Sequence, residues 1–291
     1  MKVAISGANG FIGRHLAAHF EKLDYAVTRI ARDQFERPSF DAASLAGHDV
    51  VIHLAGAPIA GRRWTVSYKK TIFDSRVVTT KLLCESLAKA SLKPFKIFIA
   101  SAAGYYGNVN PAVAVNESSS PGEGFLSEVC QAWETAALPA KQAGIDVVFM
   151  RFGLVIGSNG GVLAKMIPVF KMGAGGRLGS GGQIMSWIAL EEIPLIIEYL
   201  IKMPQISGPV NFVSVNPVSN LEFTRCLGKV LKRPVIFPVP SAVLKLLFGE
   251  MAGELFLSGA RVVPQKLLQG GYQFKHPDLE AALLSLIKKQ H

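Results

Sequence analysis

The stretch Val3-Ala4-Ile5-Ser6-Gly7-Ala8-Asn9-Gly10-Phe11-Ile12-Gly13 decides how the rest of the chain is read. An apolar run of strand length ends in a turn with glycines spaced G-x-x-G-x-x-G, and apolar residues at helical spacing follow from Ile12 to Leu23. Strand, glycine turn and helix in that order place helix N-terminal amides where they can hold an anion. Gly7 suits the tight turn, Gly10 lets the backbone approach a pyrophosphate, and Gly13 lets the helix pack closely on the sheet, with Phe11 and Ile12 in the first helical turn. Glycine spacing alone also suits a purely structural turn. The strand before it, the helix after it and a second strand about 20 residues on favour dinucleotide binding.

Outward from that motif, short apolar runs alternate with helical patterns. Strands are predicted at Val3 to Ser6, Ala26 to Ala31, Val50 to Leu54, Ile97 to Ala100 and Val147 to Met150. Helices are predicted at Ile12 to Leu23, Ser75 to Ala90 and Phe125 to Lys141. The alternation predicts an α/β, Rossmann-type, doubly wound parallel sheet. After Arg151 the pattern becomes mixed: a glycine-rich stretch, Gly173 to Gly182, then a helix from Glu191 to Lys202 and an apolar run, Val210 to Val215. Ser219 and Glu222 are spaced as a capping box opening a helix to about Leu231. Pro234, Pro238 and Pro240 bracket a short extended piece, Val235 to Val239, and a mostly helical tail runs from Ser241 to Lys289. The expected division is 1–238, with substrate-side elements from about 152, and a small helical region at 239–291.

With 291 residues, 49% of them hydrophobic, the chain can bury a sizeable core, which excludes disorder. Its net charge of +10 comes from dispersed Lys and Arg without a basic run, so it suggests attraction for anionic ligands and not a nucleic-acid partner. Cys84, Cys130 and Cys226 lie far apart and form no C-x-x-C pair, which fits a reducing cytoplasm. No run approaches the roughly 18 apolar residues of a membrane span, and Gly7, Asn9 and Gly10 interrupt what might pass for a signal sequence.

The second strand ends Thr28-Arg29-Ile30-Ala31-Arg32-Asp33. An acid at that position binds the ribose hydroxyls of NAD, whereas Arg32 would pair with a 2′-phosphate through charge-assisted hydrogen bonds worth about 1.5–3 kcal/mol each. The cofactor expected is therefore NADP(H), with Asp33 tempering the preference; the alternative is an exposed Arg32 without a partner.

Further segments are Asp49 to Gly56, Arg62-Arg63-Trp64, Ser75-Arg76 with Thr79 to Leu83, Ser101 to Gly107, Arg151 to Gly157, Gly160-Gly161, Pro168, Gly175 to Gly181, Gln183 and Trp187-Ile188. In this order and spacing, over nearly the whole chain, they resemble the extended short-chain dehydrogenase/reductase superfamily. The closest likeness is to its atypical epimerase-like branch with a C-terminal domain of unknown function. The resemblance implies that Leu54, Ala55 and Gly56 lie against the adenosine half of the cofactor, that Thr71 and Arg76 face that site, and that Val155 lies near the nicotinamide. It also implies a homodimer.

Most of that superfamily uses a Tyr-x-x-x-Lys pair on one helix face, the ammonium lowering a phenol pKa of about 10, with a Ser at the preceding strand end. Aligning Glu134 with the acid that follows the pair places Leu126 and Cys130 there, so the pair is absent. Ser101 matches the superfamily Ser, and Tyr105 or Tyr106 is the replacement candidate for proton transfer; the alternative is that both rings only pack beneath the cofactor. Arg62 and Arg63 with Trp64 would hold a phosphate or form an ordinary surface, the Gly175 to Gly182 loop would be an anion nest, a lid or a plain turn, and His53 is read as structural. Two functions follow. One is an NADP(H)-dependent oxidoreductase or epimerase acting on a small anionic substrate such as a nucleotide sugar; the other is a catalytically inactive NADP(H) sensor.

Overall fold

Val3, Ala4 and Ile5 are buried on both faces because their strand is central, which is why they read as an unbroken apolar run without alternation. The computed structural model describes residues 1–36, 40 and 45–288. Its strands are β1 Lys2–Ser6, β2 Ala26–Ile30, β3 Val50–His53, β4 Lys96–Ala102, β5 Ala114–Val115, β6 Asp146–Phe152, β7 Leu154–Gly157, β8 Ile184–Met185, β9 Trp187–Ala189, β10 Gly208–Phe212, β11 Val218–Ser219 and β12 Arg261–Val262. Its helices are α1 Phe11–Lys22, α2 Val66–Lys89, α3 Phe125–Thr135, α4 Leu138–Gln142, α5 Gly161–Lys171, α6 Glu192–Lys202, α7 Asn220–Leu231, α8 Ser241–Phe248, α9 Gln265–Gln269 and α10 Leu279–Lys288.

The main sheet has six strands in the order β10-β6-β4-β3-β1-β2, and β1 pairs in parallel with both β2 and β3. The chain goes to one side of β1 for β2 and to the other side for β3, which makes the carboxyl ends of β1 and β3 a topological switch point, where ligands of open sheets bind. Helix α1 buries Gly13, Leu16, Ala17 and Phe20, spaced i, i+3, i+4 and i+7 along one face. Burying Leu16 and Phe20 contributes about 1.5–3 kcal/mol each.

The chain forms two compact units. One comprises Met1–Ala102, Glu128–Arg151 and Pro194–Val210; the other takes residues 103–127, 152–193 and 211 onward. Each unit thus draws on several segments of the chain. In the second unit α5, α7 and α10 bury Leu163, Phe170, Phe223, Leu227, Leu283 and Leu286 around Trp187.

Several boundaries differ from the sequence reading. Helix α2 begins at Val66, not Ser75: Thr65 Oγ1 accepts the Tyr68 amide at 3.2 Å, and the first two turns carry Ser67, Lys69 and Lys70 instead of an apolar stripe. The expected Phe125 to Lys141 helix is broken after Thr135, and Pro139, which lacks an N–H, sits in the opening turn of α4. Strand β4 begins at Lys96, whose buried ammonium donates to Leu200 O at 2.7 Å and pairs with Asp146 at 2.9 Å. Between Pro234 and Pro240 only Val239 makes a bridge, to Leu178. In the tail, β12 and a short π-helical turn, Ala252–Phe256, separate the helices, and Lys289 lies outside the described residues.

The capping box forms as read: Ser219 Oγ accepts the Glu222 amide at 3.2 Å and Glu222 Oε2 accepts the Ser219 amide at 2.7 Å. Ser219→Ala is expected to lower stability by about 1 kcal/mol, measured by denaturant unfolding at pH 7. Hydrogen bonds from Ser219 hold the Glu222 carboxyl below its usual range. A depressed folded pKa means that its contribution is complete above the unfolded value and is lost as pH falls through the folded one, so the difference between wild type and variant narrows in acid.

Candidate functional site

Gly7 ends β1 with φ +67°, and a Cβ there would lie 2.9 Å from Leu54 C, so the turn after β1 touches the segment after β3 at the switch point. A Cβ on Gly13 would lie 2.2 Å from Gly7 O, which explains why α1 can enter so close to β1. Gly10 is the N-cap of α1; no side chain caps the helix and no acid occupies its first turn. The first-turn amides, from Phe11 to Gly13, therefore face their surroundings without a competing carboxylate, while a Cβ on Gly10 would meet only Gly7 O, at 3.1 Å. That open cradle fits a diphosphate on both shape and charge.

Ser6 Oγ accepts the Leu54 amide at 3.1 Å and lies 2.7 Å from His53 Nδ1, which fixes the switch point from beneath. Burial pushes the His53 imidazole down to about 3, so it is neutral, and its ring lies against Phe35. Here His53 is an anchoring group of the strand end.

Arg76 is 7% exposed. Its Nη1 donates to Ile72 O at 3.1 Å and its Nη2 to Ala57 O at 3.0 Å, and the guanidinium stands 5.1 Å from the Trp133 ring centroid. Burial lowers its pKa to about 10, which still leaves it charged at neutral pH, and among the described residues no carboxylate forms an ion pair with it. It therefore braces the Leu54-Ala55-Gly56 segment and supplies a buried positive charge there. Thr71 lies on an exposed part of α2, its Oγ1 donating back to Ser67 O at 3.0 Å. Five helical positions separate it from Arg76, about 140° around the axis, so the helix does not bring the two to one face. Arg32 opens a 3-10 turn, 93% exposed in its side chain, with Nε 3.3 Å from Glu36 Oε1. Val155 is half-buried in β7 of the second unit. Trp64 is a buried ring whose Nε1 donates to Ile59 O, beside exposed Arg62 and Arg63.

Ser101, at the end of β4, donates its hydroxyl proton to Glu134 Oε1 at 2.8 Å. Glu134 is held from the other side by a forked pair, Arg151 Nε to Oε1 and Nη2 to Oε2, both 2.8 Å. This geometry departs from the expectation that Ser101 polarises a substrate oxygen, because its one proton is already committed to the partly buried Glu134 carboxylate. Tyr106 departs likewise: it is 2% exposed and its hydroxyl donates to Asn211 Oδ1 at 2.8 Å. Asn211 in turn gives its amide to Glu117 Oε1 at 3.0 Å, so Tyr106 belongs to a buried structural network. Tyr105 is half-buried, edge-on to Tyr106 at 5.3 Å. At the pair positions, Leu126 packs beside Gly104, and the Cys130 thiol, pushed up to about 12 by burial, faces Ala102 O.

The second unit contains a cavity of about 640 Å³, within the range of small-molecule sites. Gly104 and Gly107, flanking the two tyrosines, form part of its wall, as do Leu126, Glu254 and Lys245. Glu254 accepts the Phe125 amide at 3.0 Å and the Leu126 amide at 3.1 Å, capping α3 where the pair helix begins. Sequence reasoning missed Glu254, Lys245 and the Glu134–Arg151 clamp; the single signal for them was Glu134 itself, used only as an alignment mark. Among the described residues no helix is long and apolar enough to cross a membrane.

A model of the NAD dependent epimerase/dehydratase family matches residues 3–210, and one of a domain of unknown function, DUF1731, matches residues 239–286. The chain is 41% identical to an epimerase family protein of Mycobacterium bovis, over 97% of this chain and 96% of that one. It is similar to the crystal structure of the human epimerase family protein SDR39U1 with NADPH, at a TM-score of 0.90 and 30% identity over 99% of both chains. It also resembles a nucleoside-diphosphate sugar epimerase from Corynebacterium glutamicum, at a TM-score of 0.80 and 32% identity, covering 99% of this chain and 58% of that one.

Proposed function

The chain belongs to the NAD-dependent epimerase/dehydratase family, and from that premise we propose that it binds NADP(H) and exchanges hydride with a small hydroxylated or carbonyl substrate. The observation that carries the reading is the uncapped, acid-free N-terminus of α1 at the switch point, with Gly7 seated against Leu54. The first-turn amides from Phe11 to Gly13 would hold the diphosphate, Leu54, Ala55 and Gly56 the adenosine half, and Arg32 a 2′-phosphate; Thr71, Arg76 and Val155 complete the proposed set. When bound, the nicotinamide supplies a carbon that accepts or gives hydride. Oxidation of a carbinol also releases a hydroxyl proton, and the proposal gives it to Tyr105, the half-buried phenol in the turn after β4, whose neighbour Tyr106 donates to Asn211. Ser101 is then a positioning residue that ties β4 to Glu134.

The family chemistry suggests a sugar or sugar-like substrate, the Corynebacterium relative being described as a nucleoside-diphosphate sugar epimerase. Residues 1–238 would carry the cofactor and 239–291 a helical segment completing the substrate side. Cytoplasmic operation fits three cysteines that remain free thiols, and a homodimer belongs to the same reading. A second reading, a cofactor-binding protein without turnover, draws on the missing pair and on Leu126 in the position of the phenol.

Calorimetry and single-turnover oxidation of NADPH test both. NADPH is expected to bind at least about tenfold more tightly than NADH, and Arg32→Ala to remove that preference. Tyr105→Phe is expected to abolish hydride transfer without weakening NADPH binding. Unchanged turnover in Tyr105→Phe would refute the proton-transfer assignment, and NADPH binding with no turnover on any carbonyl compound would favour the second reading.

A further inference from the structure

Helix α8 turns apolar side chains both inward and outward. Leu244 and Phe248, one turn apart, face inward: Leu244 is buried, and the Phe248 ring meets the Phe256 ring at 5.1 Å. Val243, Leu246 and Leu247, spaced i, i+3 and i+4, form a separate stripe that is exposed, Leu246 at 77%. A surface helix ordinarily carries polar residues there. The segment leading into α8 adds exposed Ile236 and Phe237. It is laid along the loop after α5: Arg233 Nε donates to Lys171 O at 2.9 Å, the Val239 amide to Arg177 O at 2.8 Å, and the Gly179 amide to Val239 O at 2.9 Å. Met172, next to Lys171, is 75% exposed. Single exposed apolar residues are ordinary, but six large ones on adjoining segments of one unit form a patch of the kind that marks an interaction site.

The charge around the patch is one-sided. From Gly161 to Leu190 the chain has Lys165, Lys171 and Arg177 and no acid; from Phe223 to Gly249 it has Arg225, Lys229, Lys232, Arg233 and Lys245 and no acid. Lys229 is paired with Glu280, Arg177 braces its own loop and Lys245 turns to the cavity. Lys171, Lys232 and Arg233 are exposed and make no ion pair among the described residues. Glu250, just beyond α8, is the acid that follows in sequence. A second copy docked about a two-fold axis would set the patch against itself, bringing these cations together with no acid in either segment to pair with them. An anionic bilayer supplies both things the patch lacks: headgroup phosphates for Lys171, Lys232 and Arg233, and the acyl boundary for the aliphatic and aromatic side chains beside them. We propose that this face rests on anionic lipid, holding the chain at a membrane surface by a peripheral contact without any span.

Co-sedimentation of the full chain with phosphatidylcholine vesicles, with and without phosphatidylglycerol, tests it. Binding to the vesicles that contain phosphatidylglycerol is expected to be at least about tenfold tighter, and to weaken as salt is added. Leu246→Glu with Leu247→Glu, at two exposed positions, is expected to abolish it, with Leu246→Ser as the milder variant should circular dichroism show the pair to disturb folding. Lys171→Glu with Lys232→Glu is expected to erase the preference for anionic lipid. Val66→Ser, at a position 89% exposed in the first unit, should leave binding unchanged. No sedimentation with phosphatidylglycerol vesicles, equal binding to both kinds, or binding unmoved in the folded variants of the patch would overturn the proposal. So would a wild-type dimer in solution that the Leu246 and Leu247 variants dissociate, because a second copy would then cover the face.

Discussion

Gly13→Ala is expected to lower NADPH affinity on the order of a hundredfold, about 2.7 kcal/mol, and to destabilise the fold by about 1–3 kcal/mol. The added Cβ would lie 2.2 Å from Gly7 O and 2.7 Å from Ala8 Cα, and both of these are backbone atoms that no rotamer change can clear. Helix α1 must therefore move away from the turn after β1, taking with it the first-turn amides proposed to hold the diphosphate. Circular dichroism separates the two effects: a folded variant that no longer binds NADPH supports the cradle, and a folded variant with wild-type affinity removes its basis. Gly182→Ala is the control, since a Cβ there meets nothing nearer than Ser180 Oγ at 3.6 Å and should change neither quantity.

Arg151→Met is expected to be strongly destabilising, by about 3 kcal/mol, because it leaves the partly buried Glu134 carboxylate with, among the described residues, the Ser101 hydroxyl as its remaining partner. Thermal unfolding should fall by roughly 10 °C. The double variant Glu134→Leu with Arg151→Met removes both charges and is expected to recover much of the loss, since what costs most is a buried charge left alone and not the absence of the pair. A double variant no more stable than Arg151→Met would show that the clamp matters chiefly as a shape. If Ser101 acts only by positioning, Ser101→Ala should lower stability without altering the pH profile of any hydride transfer.

Both predictions concern contacts of different legibility. The Gly7–Gly13 approach is local: six positions separate the two glycines, and the strand-turn-helix pattern around them already dictates that the helix must enter close to the strand. The Ser219–Glu222 box is local in the same way and forms as read. The Glu134–Arg151 clamp joins two secondary elements, and neither residue's periodicity names the other as partner. Helix α2 shows the opposite failure. Its first turns carry exposed Val66 and a polar run, so apolar spacing gave no sign of a helix there, although Thr65 was present as a cap.

The sequence by itself determined the doubly wound sheet and the glycine turn at a helix mouth, because strand and helix periods and turn stereochemistry depend on neighbouring residues. Only the tertiary structure decided that the Ser101 proton goes to Glu134, 33 positions away, that the Tyr106 proton goes to Asn211, 105 positions away, and that Glu250 and Glu254 face the same cavity as Gly104. A buried hydroxyl must be paired wherever the packing leaves it, and which acceptor it meets is set by chain segments whose approach no local pattern encodes.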